Sequence, residues 1–422
     1  MVARAKRGSR NLFISVLIAG LAGLAGLDFV TFTSAKTSTR ASPLRRAQSQ
    51  KGSKAPAGSV VDAEEVLPIS FSLTVGGFNS SVPLSDAKVA VITGASTGIG
   101  LATVEGLVRS GMYKSIIMAG RDADKHEKAM ESLREKVGTL KQAVELRYLP
   151  LELASLKSVR DFAQSVKDQQ TPIHTLILNA GVMALPDRKE TEDGYEYQFG
   201  VNHLGHFLLA NLLMDKLAQG GSAADPARVI SLSSSAHQIP SKLLKGDLGD
   251  LQSYEYSAWG AYGQSKLANV MFAYELDRRC RERGLPVVAN AAHPGVVNTE
   301  LARYMGAGPA SQLMAPFAPL KDVAQPLLNY VLRSPEEGAK TSLVLATQSE
   351  GKLSGRYWQD GRPTASVDFD PASDLPGPAL QLLPFRPKLT SYDPKVWADL
   401  WTESELLVGL RPEDVTCFSK AD

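Results

Sequence analysis

The chain has 422 residues, 44% of them hydrophobic and 21% charged, with a formal net charge of +2. That is enough apolar material for one large or two ordinary domains whose core offsets chain entropy. Two cysteines, Cys280 and Cys417, are too few and too widely spaced for a disulfide framework or a zinc site.

The charge is unevenly placed. Residues 1–61 carry ten Lys/Arg and one acid, Asp28, while the rest has 36 bases against 43 acids. A mildly acidic body excludes an electrostatic case for nucleic-acid binding. The leader opens with Arg4, Lys6, Arg7 and Arg10, followed by an uncharged run at 12–27. Sixteen residues are short for a membrane span, which needs about 20, and suit a signal-like apolar region better. From Phe29 to Val61 there are six Lys/Arg, many Ser/Thr and no acid, a transit-peptide composition. Together these read as a bipartite leader for a plastid. A signal anchor in the endoplasmic reticulum membrane, or a secretory signal with a linker, is the alternative. Residues 62–87 are a lead-in with a strand-like stretch at Ile69–Val75 that has no assigned role.

From Lys88 short apolar runs alternate with amphipathic stretches. Strands are expected at Lys88–Thr93, Ser115–Ala119, Val144–Leu149, Thr175–Leu178, Arg228–Leu232 and Val287–Ala292. Helices are expected at Thr103–Ser110, Lys125–Val137, Val159–Asp168, Asn202–Leu217 and Gly263–Gly284. This rhythm means βαβ units and an α/β, doubly wound, mostly parallel sheet of Rossmann type. Strands buried on both faces explain the continuous Val/Ile/Leu runs. The organisation expected is one catalytic domain over 88–422 behind the leader, with a C-terminal extension at 359–422. Within it, 300–325 is an apolar, Gly/Pro-containing loop suited to cover a pocket. A last strand is expected at Ser342–Ala346, irregular chain at 359–390 and a closing helix at Pro394–Leu407.

The strand at 88–93 runs into Thr93-Gly94-Ala95-Ser96-Thr97-Gly98-Ile99-Gly100 and then a helix. Such a turn lets backbone approach a pyrophosphate, whose charge sits at the helix N-terminus. A Cβ would block that approach, and some positions need positive φ. The next strand ends at Gly120-Arg121-Asp122. An acid there would bind a ribose 2′-hydroxyl and an arginine a 2′-phosphate, so Arg121 points to NADP(H).

Tyr262-Gly263-Gln264-Ser265-Lys266 puts a phenol and an ammonium one helical turn apart. The ammonium is expected to lower a phenol pKa that is otherwise near 10. Leu232-Ser233-Ser234-Ser235 places hydroxyls at the carboxyl end of the preceding strand, where ligands of such sheets bind. His203 and His206 read as packing or hydrogen-bonding residues, since no carboxylate or cysteine completes a metal set.

The turn T-G-x-x-x-G-x-G, Asn179-Ala180-Gly181, Asn202, Ser234, Tyr-x-x-x-Lys and Pro294-Gly295 occur in order over residues 88–300. In this the chain resembles the short-chain dehydrogenase/reductase family. The resemblance implies that Gly94, Ser96, Thr97, Gly98, Ile99, Gly100, Arg121, Glu152, Asn179, Ala180, Gly181, Pro294, Gly295 and Thr299 bind the dinucleotide. It further implies Tyr262 as acid/base, Lys266 as its partner and ribose ligand, Ser234 as the carbonyl-orienting hydroxyl, with Ser233 or Ser235 as register alternatives, and Asn202 as anchor of a proton relay. Asn202 also reads as a helix cap.

Asn202-His203-Leu204-Gly205-His206-Phe207, Ser234-Ser235-Ala236-His237 and Ser265-Lys266-Leu267-Ala268-Asn269 are most similar to the retinol dehydrogenase and WW-domain oxidoreductase branch. This implies a hydrophobic alcohol or carbonyl substrate. Light-dependent protochlorophyllide reductase shares the Asn-His-Leu-Gly-His-Phe stretch but has a cysteine where this chain has Val296. A catalytically silent NADP(H)-binding scaffold is the reading from another class. Membrane association and a homodimer through the helices at 202–217 and 263–284 stay open.

Overall fold

The computed structural model describes residues 70–73, 88–137, 144–240, 256–295, 297, 333–347, 354–364 and 393–419. The leader, the 300–325 loop and Thr299 lie outside the described residues. Among the described residues nine strands form one sheet, in the order β1-β4-β3-β2-β5-β6-β7-β8-β9. They are β1 Ser70–Leu73, β2 Lys88–Thr93, β3 Tyr113–Gly120, β4 Val144–Pro150, β5 Thr175–Leu178, β6 Ala227–Leu232, β7 Val287–His293, β8 Tyr357–Gln359 and β9 Arg362–Thr364. β2 to β8 run parallel, and the two edge pairs, β1 with β4 and β8 with β9, are antiparallel. The chain winds outward through β2, β3 and β4, then returns to lay β5 beside β2. That reversal opens a crevice at the carboxyl ends of β2 and β5, the place where such sheets bind ligands. The strand-like stretch near residue 70 pairs as β1 on the outer edge of β4.

The helices are α1 Gly98–Ser110, α2 Ala123–Val137, α3 Leu156–Asp168, α4 Tyr197–Phe199, α5 Gly205–Leu212, α6 Met214–Gly220, α7 Ala258–Glu282, α8 Pro335–Thr347, α9 Pro394–Leu407 and α10 Thr416–Ser419. They cover both faces of the sheet and divide its core. One cluster joins Val91, Leu178, Phe207, Phe272 and Trp401. The other joins Ile92, Leu107, Tyr113, Met118 and Trp358.

Three elements depart from the sequence reading. The stretch at Ser342–Ala346 is helix, not strand, inside α8. A short apolar run cannot by itself separate a buried strand from a buried helix, and here the flanks decide. Ser334 and Glu337 exchange backbone and side-chain bonds of 3.2 Å in a capping box, and Pro335 opens the helix. The helix expected at 202–217 is broken. Glu196 accepts from the amides of Gln198 and Phe199 to start α4, a π-helical turn follows at Gly200–Leu204, and Leu213 separates α5 from α6. The start of the segment read as irregular, 359–364, is instead a hairpin. Asp360 and Gly361 both take positive φ, 55° and 70°, which a tight two-residue turn between right-twisted strands requires.

The C-terminal helix forms where expected. Asp393 caps α9 by accepting from the Lys395 amide at 2.9 Å, ahead of Pro394 at the first turn. Trp401 is buried against Phe207 and Phe272, and the Arg279 guanidinium lies 4.4 Å over its ring. Ser404 meets His203 Nε2 at 3.0 Å. The extension is thus pinned to the helical turn that carries Asn202.

Candidate active site

The glycine turn joins β2 to α1. Gly94 and Gly98 have φ of +65° and +55°. A Cβ on Gly94 would come within 2.9 Å of Ala180 Cα, and one on Gly100 within 2.1 Å of the Gly94 carbonyl oxygen. Both positions therefore need glycine, the first for conformation as well as space. Thr97, the N-cap of α1, makes no side-chain capping bond, and the first turn holds no acid. The amides and dipole at this N-terminus face the crevice ready for an anion.

Thr93 Oγ1 accepts from the amides of Asn179 and Ala180, both at 2.9 Å, and meets His206 Nε2 at 2.9 Å. Asn179 Nδ2 donates to the carbonyls of Thr93 at 2.8 Å and Gly94 at 3.1 Å. The ends of β2 and β5 are thereby locked together. A cavity of about 500 Å³ opens here, with Gly94, Ser96, Thr97, Gly98, Ile99, Gly100, Arg121, Glu152, Asn179, Ala180 and Gly181 in its wall. Its size, its glycine floor and its uncapped helix end fit a dinucleotide.

At the far wall, Arg121 pairs with Glu152 at 3.5 Å, with side chains 56% and 32% exposed. Glu152 also accepts from the Ala154 amide at 2.9 Å. Asp122 is occupied elsewhere, accepting from the Lys125 amide at 3.0 Å in the first turn of α2. Lys125 and His126 line the same cavity, and sequence reasoning named neither. Their signal was position, on the first turn of the helix that leaves Gly120-Arg121-Asp122.

The second half of the site hangs from β6 and α7. Ser257 caps α7, and Tyr262, Ser265 and Lys266 are buried on its inner face. The Ser234 hydroxyl lies near enough to the Tyr262 hydroxyl to oppose the rise that burial causes in its pKa. It also accepts from the Ala236 amide at 3.2 Å, as cap of the short 3₁₀ turn Ser235–Gln238. Ser233 Oγ donates to the Lys266 carbonyl at 2.7 Å and so ties β6 to α7. Gly263 lets that turn seat closely, since a Cβ there would lie 2.9 Å from the Ala236 carbonyl oxygen.

Lys266 Nζ donates to the Leu232 carbonyl at 3.1 Å and lies 5.6 Å from the Tyr262 ring centre. Burial pulls its pKa down to about 8. Burial also pushes the Tyr262 phenol up to about 12, opposed by the Ser234 hydroxyl. Desolvation thus outweighs the depression expected from the neighbouring ammonium. Asn202 is fully buried within the π-helical turn rather than capping a helix. Its Nδ2 donates to the Val182 carbonyl at 2.9 Å and to Ser265 Oγ at 3.0 Å, and its Oδ1 accepts from the Val182 amide at 2.8 Å. Gly181 joins the two halves, because a Cβ there would sit 3.0 Å from Asn202 Oδ1 and 3.6 Å from Lys266 Nζ. At the end of β7, Pro294 and Gly295 follow His293, with Gly295 at φ +84° against the Arg333 side chain.

Comparison with known proteins accords with this arrangement. Residues 88–245 match the model of the short chain dehydrogenase family. The chain is 39% identical over 341 residues to retinol dehydrogenase 13 of Homo sapiens, covering 81% of this chain and 90% of that one. It is 37% identical over 339 residues to polyprenol dehydrogenase of Homo sapiens, covering 79% and 89%. The chain belongs to the short-chain dehydrogenase family. A solved structure from Mycobacterium paratuberculosis shares its fold at 31% identity and a TM-score of 0.53, covering 78% of this chain and 96% of that one. As a member of the family this chain is an oxidoreductase of the retinol dehydrogenase-like branch, for which a nicotinamide cofactor fits the crevice.

Proposed function

We propose that this oxidoreductase uses NADP(H) to interconvert a hydrophobic alcohol and its carbonyl compound, with Tyr262 as the acid/base. The observation that carries the reading is the buried group of Ser234, Tyr262 and Lys266, joined to the glycine-floored cavity through Gly181, where a Cβ would lie 3.6 Å from Lys266 Nζ. Two neighbouring hydroxyls can together hold one substrate oxygen. A bound nicotinamide would supply or accept the hydride.

The protein's own groups do the rest. Ser234 orients the substrate oxygen, and its bond from the Ala236 amide leaves its proton to donate outward. Tyr262 is a protonated phenol at neutral pH and gives its proton to the oxygen during reduction. Lys266 keeps a cation beneath the ring and replenishes the proton, with Asn202 holding the adjoining backbone for a relay to solvent. The glycine turn, the α1 amides, Asn179-Ala180-Gly181, Pro294, Gly295 and Thr299 would hold the dinucleotide. Arg121 would meet its 2′-phosphate, and Glu152 would stand on the adenosine side. The choice of NADP(H) rests on Arg121 and on Asp122 being committed to capping α2.

Trp259, an exposed large apolar residue at 38% exposure, stands edge-on to the Tyr262 ring at 6.0 Å. That apolar approach suits an isoprenoid alcohol or aldehyde, the class named by the retinol and polyprenol relatives. We assign residues 88–422 to one catalytic domain and 1–61 to targeting, to a plastid or to the endoplasmic reticulum membrane. A fluorescent protein fused to residues 1–61 distinguishes these destinations.

The test is NADPH oxidation with retinal, a polyprenal and small aldehydes, for the native chain and Tyr262→Phe. Turnover by the first and its loss in the second supports the reading. Tight NADPH binding without turnover in either would make the chain a cofactor-binding scaffold instead.

A further inference from the structure

Two buried histidines beside the catalytic groups take no part in the proton chemistry above. His237 and His293 are both buried, and both pack against the ring of Tyr357. The His237 and Tyr357 ring centres lie 4.9 Å apart at 52°, and the His293 and Tyr357 centres 6.4 Å apart at 18°. The three residues come from different places in the chain: the 3₁₀ turn after β6, the end of β7, and β8.

Each imidazole makes a polar contact to a functional loop. His237 Nδ1 lies 2.6 Å from the Ser234 carbonyl oxygen. A carbonyl only accepts, so Nδ1 carries the proton. That bond reinforces the 3.0 Å bond from the His237 amide to the same carbonyl. It closes the turn that aims the Ser234 hydroxyl at Tyr262. His293 Nδ1 accepts a long 3.4 Å bond from the Gly295 amide, at the loop assigned to the nicotinamide. Burial keeps His293 neutral, as acceptance at Nδ1 requires.

β8 itself is anchored without the Tyr357 side chain. Asn290 Oδ1 accepts from the Arg356 amide at 3.1 Å and Trp358 Nε1 at 3.2 Å. The Tyr357 ring is therefore presented to the two histidines by a strand whose pairing does not depend on it.

We infer that Tyr357, His237 and His293 form a brace that sets the Ser234 turn and the Pro294–Gly295 loop together. Tyr357, almost a hundred residues beyond Tyr262 in the chain, is then a positioning residue for hydride transfer that touches neither substrate nor cofactor. The inference rests on the functional reading above for its kinetic consequence, but not for its effect on cofactor binding. Displacements of about 1 Å at a reacting centre can cost on the order of a hundredfold in rate.

The experiment compares His237→Asn with His237→Gln, and Tyr357→Phe with Tyr357→Leu, in the full chain. An Asn amide reaches the place of Nδ1 and can donate to the Ser234 carbonyl, whereas Gln cannot without moving. The expected result is a kcat about threefold lower for His237→Asn, which keeps the donor to Ser234 but loses the ring against Tyr357, and about tenfold lower or more for His237→Gln, which loses both, with KM for the aldehyde little changed. Tyr357→Phe keeps the ring and so stays closer to native than Tyr357→Leu. Tyr357→Leu loses about tenfold in kcat and binds NADPH several-fold more weakly, at a melting temperature that shows it folded. Equal kcat for the Asn and Gln variants, or a Tyr357→Leu protein with native kcat and NADPH affinity, overturns the brace. If the native chain turns over no aldehyde, the functional reading fails. The brace is then decided by NADPH affinity alone, weakened by Tyr357→Leu and not by Tyr357→Phe.

Discussion

The two ends of the crevice are built by different means. The nucleotide end, between β2 and β5, is made of backbone: glycines without which the turn cannot close, an uncapped helix end, and a half-exposed Arg121–Glu152 pair at the rim. The catalytic end, between β6 and α7, is made of side chains removed from water. Lys266 is 5% exposed, and Asn202 and Ser265 are fully buried and bonded to each other. The first end offers a shape and a partial positive charge that many nucleotides could use. The second fixes individual atoms, where low dielectric magnifies each interaction. Side-chain change at the rim should therefore alter which nucleotide is preferred, while chemistry should not tolerate change at the centre.

The largest expected effect is at the centre. Tyr262→Phe should lower kcat by about 10²- to 10⁴-fold, the usual contribution of a positioned acid/base, with NADPH affinity kept. A comparable loss of cofactor binding would erase the division between the two ends. Ser234→Ala should cost about 10²- to 10³-fold in kcat, as for loss of one donor to a developing oxyanion. A loss confined to KM would instead make Ser234 a ground-state contact.

The rim should respond by selectivity. Arg121→Ala should weaken NADPH by about tenfold or more, the worth of a hydrogen bond to a charged group, and leave NADH binding nearly unchanged. Native binding that favours NADH would reassign the rim to Glu152 and a ribose hydroxyl.

A separate effect is on stability. His203, His206 and His293 belong to the catalytic half, and burial holds each down to about 3 against an ordinary 6.5. Below about pH 6.5 the unfolded chain takes up protons that the folded chain refuses, so their contribution is complete above that pH and is lost toward pH 3. The melting temperature should fall between pH 7 and pH 5. A flat profile would show that these histidines take up protons within the folded state.

Much of the site could be read in the sequence because its signals are local. The glycine turn is a spacing, and Tyr262 and Lys266 are one turn apart on a helix of which that spacing is characteristic. The parallel strands declared themselves as short apolar runs. What escaped was either a local signal outweighed by its neighbours or a feature set by distant contacts. The apolar residues of α8 read as a strand until the Ser334–Glu337 capping box is weighed with them. The β8–β9 hairpin hid in a Pro- and Asp-rich stretch, although its Asp360-Gly361 turn is a recognised hairpin signal. Resemblance alone put Ser234 ahead of Ser233 and Ser235, because spacing cannot show that Ser233 is committed to the Lys266 carbonyl. The break at Leu213 and the π-helical turn around Asn202 carry no spacing signal in an almost wholly buried apolar stretch.

The central claim is that the glycine turn, the Ser234 hydroxyl and the Tyr262 hydroxyl serve one nicotinamide. Single-turnover hydride transfer from saturating NADPH to retinal, followed by stopped-flow for the native chain and for Tyr262→Phe, tests this most directly. The result predicted is transfer in the native chain and a rate at least about a hundredfold lower in the variant, with the two binding NADPH equally. Equal transfer rates in both proteins would contradict it.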